Sequence, residues 1–110
     1  MTCPAPRSIA IYRRGPAWVA GTRLVDQPSL LDHGRFLQKL EQTGQAVHAG
    51  PNHRLDEVPS RDPIGMVSFP GEVSETQDLL RDDPGLLSGL LICEVLAWHV
   101  ADATDTSESA

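Results

Sequence analysis

Between Pro28 and Gly44 the chain carries its strongest structural signal, a helical stripe closed at both ends. His33, Phe36, Leu37 and Leu40 fall at i, i+3, i+4 and i+7, the spacing that stacks side chains on one face of an α-helix. Ser29 followed by Asp32 predicts a capping box in its acidic form, with Pro28 just before it. Gly44 predicts the stop, because a residue without Cβ takes the left-handed conformation at no steric cost. A helix is therefore expected over 29–43, and the rest of the chain must cover its apolar stripe.

The flanking segments read mostly as strands. Ser8 to Arg14 (SIAIYRR) is short, β-prone and ends at Gly15-Pro16; GPAWVAGTRLVDQP then has no period and reads as a long loop. After the helix, 45–49 (QAVHA) ends at Gly50-Pro51, a polar loop covers 52–63, and 64–69 (IGMVSF) forms the next strand. Ser74 with Gln77 predicts a second capped helix running to about Arg81, and Pro84 pushes Asp83 away from helical geometry. Leu90 to Val100 fits either a buried strand or a short buried helix by periodicity; its β-branched residues and the preceding Pro-Gly-Ser-Gly context favour a strand.

The order βαββαβ predicts an α+β domain: a four-stranded antiparallel sheet with both helices on one side. The uncovered side must meet solvent, a ligand or another subunit. Over 90–100, Leu91, Cys93, Val95 and Ala97 alternate with Leu90, Ile92, Leu96 and Trp98, so both faces of the last strand are apolar. A second apolar sheet face predicts a homodimer.

With 110 residues the chain is long enough for one core, and it needs no metal or disulfide staple. Nine Gly and nine Pro predict short elements and many turns. A folded domain is expected over 8–100, between a flexible tail at 1–7 and a disordered acidic tail at 101–110. Of the formal charge of -6, Asp102, Asp105 and Glu108 supply half. The densest basic cluster is the pair Arg13 and Arg14, too little for a phosphate-binding face, so neither nucleic acid nor an anionic membrane is an expected partner. Cys3 and Cys93 have no CxxC spacing and no companion His cluster, which argues against a metal site and suits a reducing, cytoplasmic setting. The N-terminus lacks a signal-peptide pattern, and the most apolar stretch, 86–100, is interrupted by Ser88 and Glu94.

The run RRGPAWVAGTRLVDQPSLLDHGRFLQKLEQTGQAVHAGPN, with its GPAW loop, H-x-x-F-L on the first helix and a Gly-Pro after the second strand, resembles the YCII-related family of the dimeric α+β barrel superfamily. DDPGLLSGLL is similar to that family's Asp-Pro segment before the last strand, and the likeness covers about 8–100. The resemblance implies a ferredoxin-like fold and a dimer packed sheet against sheet. It also implies an active site pairing the helix histidine with the Asp-Pro aspartate, here His33 and Asp83. The activity associated with the family is a lyase-like dehydrochlorination of a chlorinated hydroxyhydroquinone; muconolactone isomerases and cofactor-free monooxygenases are superfamily neighbours. The chain departs from the pattern at Gly85, where many members carry an aromatic residue, and at Pro70-Gly71, inserted before the second helix.

On the apolar stripe, a charged His33 needs an acceptor, and Asp83 would fix its tautomer and leave the other ring nitrogen as a base. Such a pair suits proton abstraction next to a carbonyl or from a phenol. The alternative is a core histidine bonded to backbone. Arg14 and Trp18 beside the loop mouth are candidates to hold a planar anionic substrate by charge and stacking; a solvated charge and a core Trp are the alternative. His48, His53 and His99 lack metal-ligand spacing, Ser88-Gly89 lacks a nucleophile-elbow context, and no phosphate loop occurs. The expectation is a small, cofactor-independent and metal-free lyase or isomerase acting on a small cyclic or aromatic metabolite. A non-catalytic ligand-binding or accessory dimer is the alternative, and a structural partner in a larger complex is the third reading.

Overall fold

The computed structural model describes residues 6–99, so the expected acidic tail and all but two residues of the expected N-terminal tail lie outside the described residues. The elements follow the order β1 (Ser8–Arg14), α1 (Leu30–Gln42), β2 (His48–Pro51), β3 (Gly65–Phe69), α2 (Val73–Leu80), α3 (Pro84–Leu87) and β4 (Leu91–Ala97). The four strands form one antiparallel sheet in the order β2-β3-β1-β4. This α+β architecture is compatible with a ferredoxin-like fold.

Alternation along β1 sets the two faces. Ser8, Ala10 and Tyr12 are buried against the helices, where Tyr12 meets His33 of α1 and Ser8 meets Thr76 of α2. Val67 and Phe69 of β3 and Leu91 of β4 share that side, with Leu37 and Leu40 of α1 and Leu80 of α2 closing the core. Each large apolar side chain removed from water there contributes about 1.5–3 kcal/mol before the entropy of ordering is counted. On the opposite side Ile9 and Ile11 are half-buried, and Met66, Ile92, Leu96 and Trp98 are exposed. The structure therefore has the expected second apolar face.

Several boundaries differ from those read in the sequence, each for a local reason. Residues 44–46 complete the end of α1 rather than starting β2: Gly44 N–H donates to the Glu41 carbonyl and Gln45 N–H to the Leu40 carbonyl, a Schellman motif with Gly44 at φ 78°. The strand begins only at His48 and runs through Gly50-Pro51, tolerable because β2 is a sheet edge where a proline forfeits no essential ladder bond. Ser29 does precede α1, but at φ 67° its hydroxyl makes no capping bond, since a capping side chain needs an extended backbone. The second capping box uses Glu72 and Glu75 instead of Ser74 and Gln77, so the cap of α2 lies two residues earlier. Leu90, expected to share a face with Ile92, Leu96 and Trp98, is instead in the core because the chain turns at Gly89 before β4 begins.

The long loop after β1 is held by one buried amide. Gln27 accepts from the Val19 N–H at 3.0 Å and donates to the Val19 carbonyl at 2.8 Å. The loop also contains a single 3-10 turn at Leu24–Asp26. Its Leu24 and Val25 amides donate to the Glu57 and Leu55 carbonyls, which ties it to the 52–63 segment. That segment is thus part of the wall around the first helix, not only a solvated connection. No helix among the described residues is long and apolar enough to cross a membrane.

Candidate active site

Asp83 stands where a proline both ends one helix turn and begins another. Pro84 keeps it extended, at φ -62° and ψ 120°, and occupies the first position of α3, where its missing N–H costs nothing. Asp83 is the N-cap of α3, and its Oδ1 accepts from the Gly85 N–H at 2.8 Å. The carboxylate is fully buried and turns toward α1 and β1.

His33 Nδ1 lies 2.8 Å from Asp83 Oδ1 and 2.9 Å from Oδ2, and the Tyr12 hydroxyl donates to Oδ2 at 3.0 Å. Three donors thus converge on one carboxylate, with Nδ1–H as one of them, and Nε2 takes no part in that clamp. The Tyr12 and His33 rings meet edge to face, with centroids 4.8 Å apart at 72°. Among the described residues no fully buried side-chain nitrogen or oxygen lacks a partner, and no hydrogen bond engages His33 Nε2; that nitrogen reaches open space.

His33 lines a cavity of about 500 Å³ between α1 and the sheet. Its wall includes His33, Tyr12, Leu37, Ile64 and Val67, with Leu55 and Leu24 contributed by the two joined loops. The volume suits a small ligand, and a mostly apolar wall with a few polar groups, here including His33, Tyr12, Arg35, Gln38 and Glu41, is the usual composition of such a site. Burial first, and then the charge of Asp83, pushes the Tyr12 phenol far above its ordinary range, so it remains a donor. Burial, followed by Asp83, pushes the Cys93 thiol up to about 11. Cys93 is a free cysteine opposite Tyr12 in the β1–β4 register.

The fold thus brings His33 and Asp83 together, and it singles out Asp83 over its exposed neighbour Asp82. Arg14 and Trp18 are placed elsewhere and do not line this cavity. The Arg14 N–H and Nε both donate to Asp62 Oδ1, at 3.0 and 3.1 Å, while Trp18 packs against the core. Burial acts to raise the Asp62 carboxyl, but the hydrogen bonds from Arg14 and the charges of Arg14 and Arg13 outweigh it and hold the group below its ordinary range.

Two participants escape a one-dimensional reading. Tyr12, the only tyrosine, joins the site by alternation on β1, a signal present in the strand pattern but silent about its partner. Gly85 is the second: a Cβ there would lie 2.8 Å from His33 Nδ1 and 3.0 Å from its Cγ. Glycine at this position has a steric basis, because the imidazole occupies the space a side chain would need. Among the described residues no group of three or more His, Cys, Asp or Glu side chains is placed to hold a metal ion. No protein-family model matches the chain, and no curated protein matches it in sequence.

Proposed function

We propose that this protein is a small cofactor-independent enzyme of the lyase or isomerase type, in which His33 moves a proton on a small cyclic or aromatic metabolite. The observation that carries this reading is the clamping of His33 Nδ1 by both oxygens of buried Asp83 while the ring lines the cavity. The carboxylate holds the ring in one orientation and stabilises the imidazolium that forms when Nε2 takes a proton. Tyr12 and the Gly85 N–H hold the carboxylate in turn, so the base is positioned before the ligand arrives. A histidine placed in this way contributes typically 10²–10⁴-fold to a proton-transfer step.

The reading includes membership of the YCII-related family, a ferredoxin-like fold and a homodimer formed through the open sheet face. The strand order β2-β3-β1-β4 and the exposed Ile92, Leu96 and Trp98 support it. Light scattering coupled to size exclusion should return twice the 11.9 kDa chain mass at micromolar concentration; a monomer would remove the dimer from the proposal.

The chemistry is tested by proton exchange, which needs no knowledge of the full reaction. Small cyclic ketones, lactones and phenols are incubated with the protein in deuterated buffer, and loss of the acidic C–H signal is followed by NMR. At least one compound should exchange faster with the wild type than with His33→Ala, by roughly 10² or more. Equal exchange for both proteins across the panel would sink the enzymatic reading. A non-catalytic binding or accessory dimer would then be favoured by a specific fact: Asp83 also caps α3 and bonds Tyr12, a structural task independent of turnover.

A further inference from the structure

Helix α1 contains a glycine where a helix gains nothing from one. Gly34 lies in the interior of α1, where glycine costs roughly 1 kcal/mol against alanine. A Cβ built there meets no atom within 4 Å, and the residue is exposed on the cavity wall. At 100° per residue, the residues of α1 on the cavity wall span an arc from His33 on the inner side to Arg35 on the outer side, with Gly34 between them. Gly34 leaves the stretch of wall between those two ends without a side chain.

Arg35, like Arg7 and Arg61, makes no ion pair among the described residues, and of these three it is the one on the cavity wall. Arg13, Arg14, Arg23, Arg54 and Arg81 each hold a carboxylate within 3.1 Å. Arg35 has no acidic partner among the described residues and is exposed at the cavity edge. Glu41 also lines the cavity, about 9 Å further along the helix axis, and repels an anion from that end. The wall is therefore electrically asymmetric along α1: an arginine without an acidic partner two residues from His33, and a carboxylate eight residues from it.

We infer that the cavity takes a monoanionic ligand with an apolar ring, its carboxylate held by Arg35 at the mouth and its ring passing over Gly34 to the His33 imidazole. The inference deepens the proton-transfer reading by naming its substrate class, and it rests on that reading for the end of the ligand that reaches His33. A guanidinium suits the task because its planar fork matches a carboxylate bidentately. The same charge favours an anion that develops as His33 removes a proton.

The test is a pair of NMR titrations, with benzoate and with its neutral isostere benzamide as probes. The wild type should bind benzoate saturably, with shifts centred on 33–38, and prefer it to benzamide by roughly fivefold, the scale of a partly exposed ion pair. Arg35→Met should remove the preference without changing benzamide affinity, and Arg35→Lys should restore part of it. Gly34→Leu should abolish binding of both probes; Gly34→Ala, a smaller change in an unobstructed position, should weaken both and serves as the variant certain to be accommodated. Equal affinity for the two probes, a preference that survives in Arg35→Met, or no saturable benzoate binding would overturn the inference. The two readings fail separately: an Arg35-dependent preference without His33-dependent exchange retains the anion site and removes the enzyme, and the reverse pattern does the opposite.

Discussion

Replacing Gly85 with alanine tests the packing of the His33–Asp83 pair through the sign of a stability change. Gly85 is the second residue of α3, and its φ is not in the left-handed region, so alanine is conformationally acceptable there. On backbone grounds alone the substitution should stabilise the fold by about 0.4–1 kcal/mol, by restricting the unfolded chain. The structure reverses that sign. The new Cβ would lie 2.8, 3.0 and 3.1 Å from His33 Nδ1, Cγ and Cβ, atoms near the root of a ring held by Asp83, not the far end of a flexible side chain. Relieving the overlap means moving the ring by several tenths of an ångström, and overpacking of this kind costs typically 1–3 kcal/mol. The net expectation is a loss of about 1–2 kcal/mol.

Gly34→Ala is the matched control, since nothing lies within 4 Å of a Cβ there and the helix interior should gain roughly 1 kcal/mol. Urea unfolding followed by circular dichroism reads both. With a slope of about 1–1.5 kcal/mol per M for a domain of this size, the midpoint should fall by about 1 M in Gly85→Ala and rise by nearly as much in Gly34→Ala. Equal upward shifts would refute the close packing of His33 on Gly85, and with it the geometry assigned to the pair.

Two further expectations concern the buried polar groups. Ser8 and Thr76 share one hydrogen bond of 2.6 Å and are both fully buried; Thr76→Val should cost about 1–3 kcal/mol by stranding the Ser8 hydroxyl, whereas adding Ser8→Ala should recover much of that loss, and a strictly additive double mutant in urea unfolding would contradict the pairing. On the alkaline side, the folded Cys93 thiol and Tyr12 phenol hold their protons more tightly than in the unfolded chain, so their contribution is intact below about pH 9 and is lost as pH rises toward and beyond 11. The urea midpoint should accordingly fall between pH 9 and 11, and Cys93→Ala should flatten that part of the profile; an unchanged profile in the variant would show that the thiol is not shifted.

Local physics was legible in the order of residues. The first helix and its glycine stop, the opening strand over 8–14 and the antiparallel sheet follow from periodicity and turn chemistry that act within a few residues. The same reasoning misplaced the start of β2 and both caps, because competing local solutions differ by only about 1 kcal/mol: a Schellman motif took residues 44–46, and glutamates took the capping role expected of a serine. Leu90 parted from Ile92, Leu96 and Trp98, its expected companions on one face, through a single glycine turn.

The two halves of the candidate site were visible one at a time: an imidazole on an apolar stripe needs a partner, and an aspartate before proline makes a helix cap. That these belong to one site, fifty residues apart, followed from a family resemblance rather than from the residues themselves. Tertiary structure alone decided the rest: that Tyr12 joins them, that Gly85 leaves room for the ring, that Asp62 takes Arg14, and that Arg35 and Gly34 line the cavity instead of Arg14 and Trp18. Helix and strand formation is set by interactions over a few residues and can be read along the chain. A buried carboxylate selects its donors from whatever three separate elements bring within 3 Å, and that choice exists only once the sheet has closed.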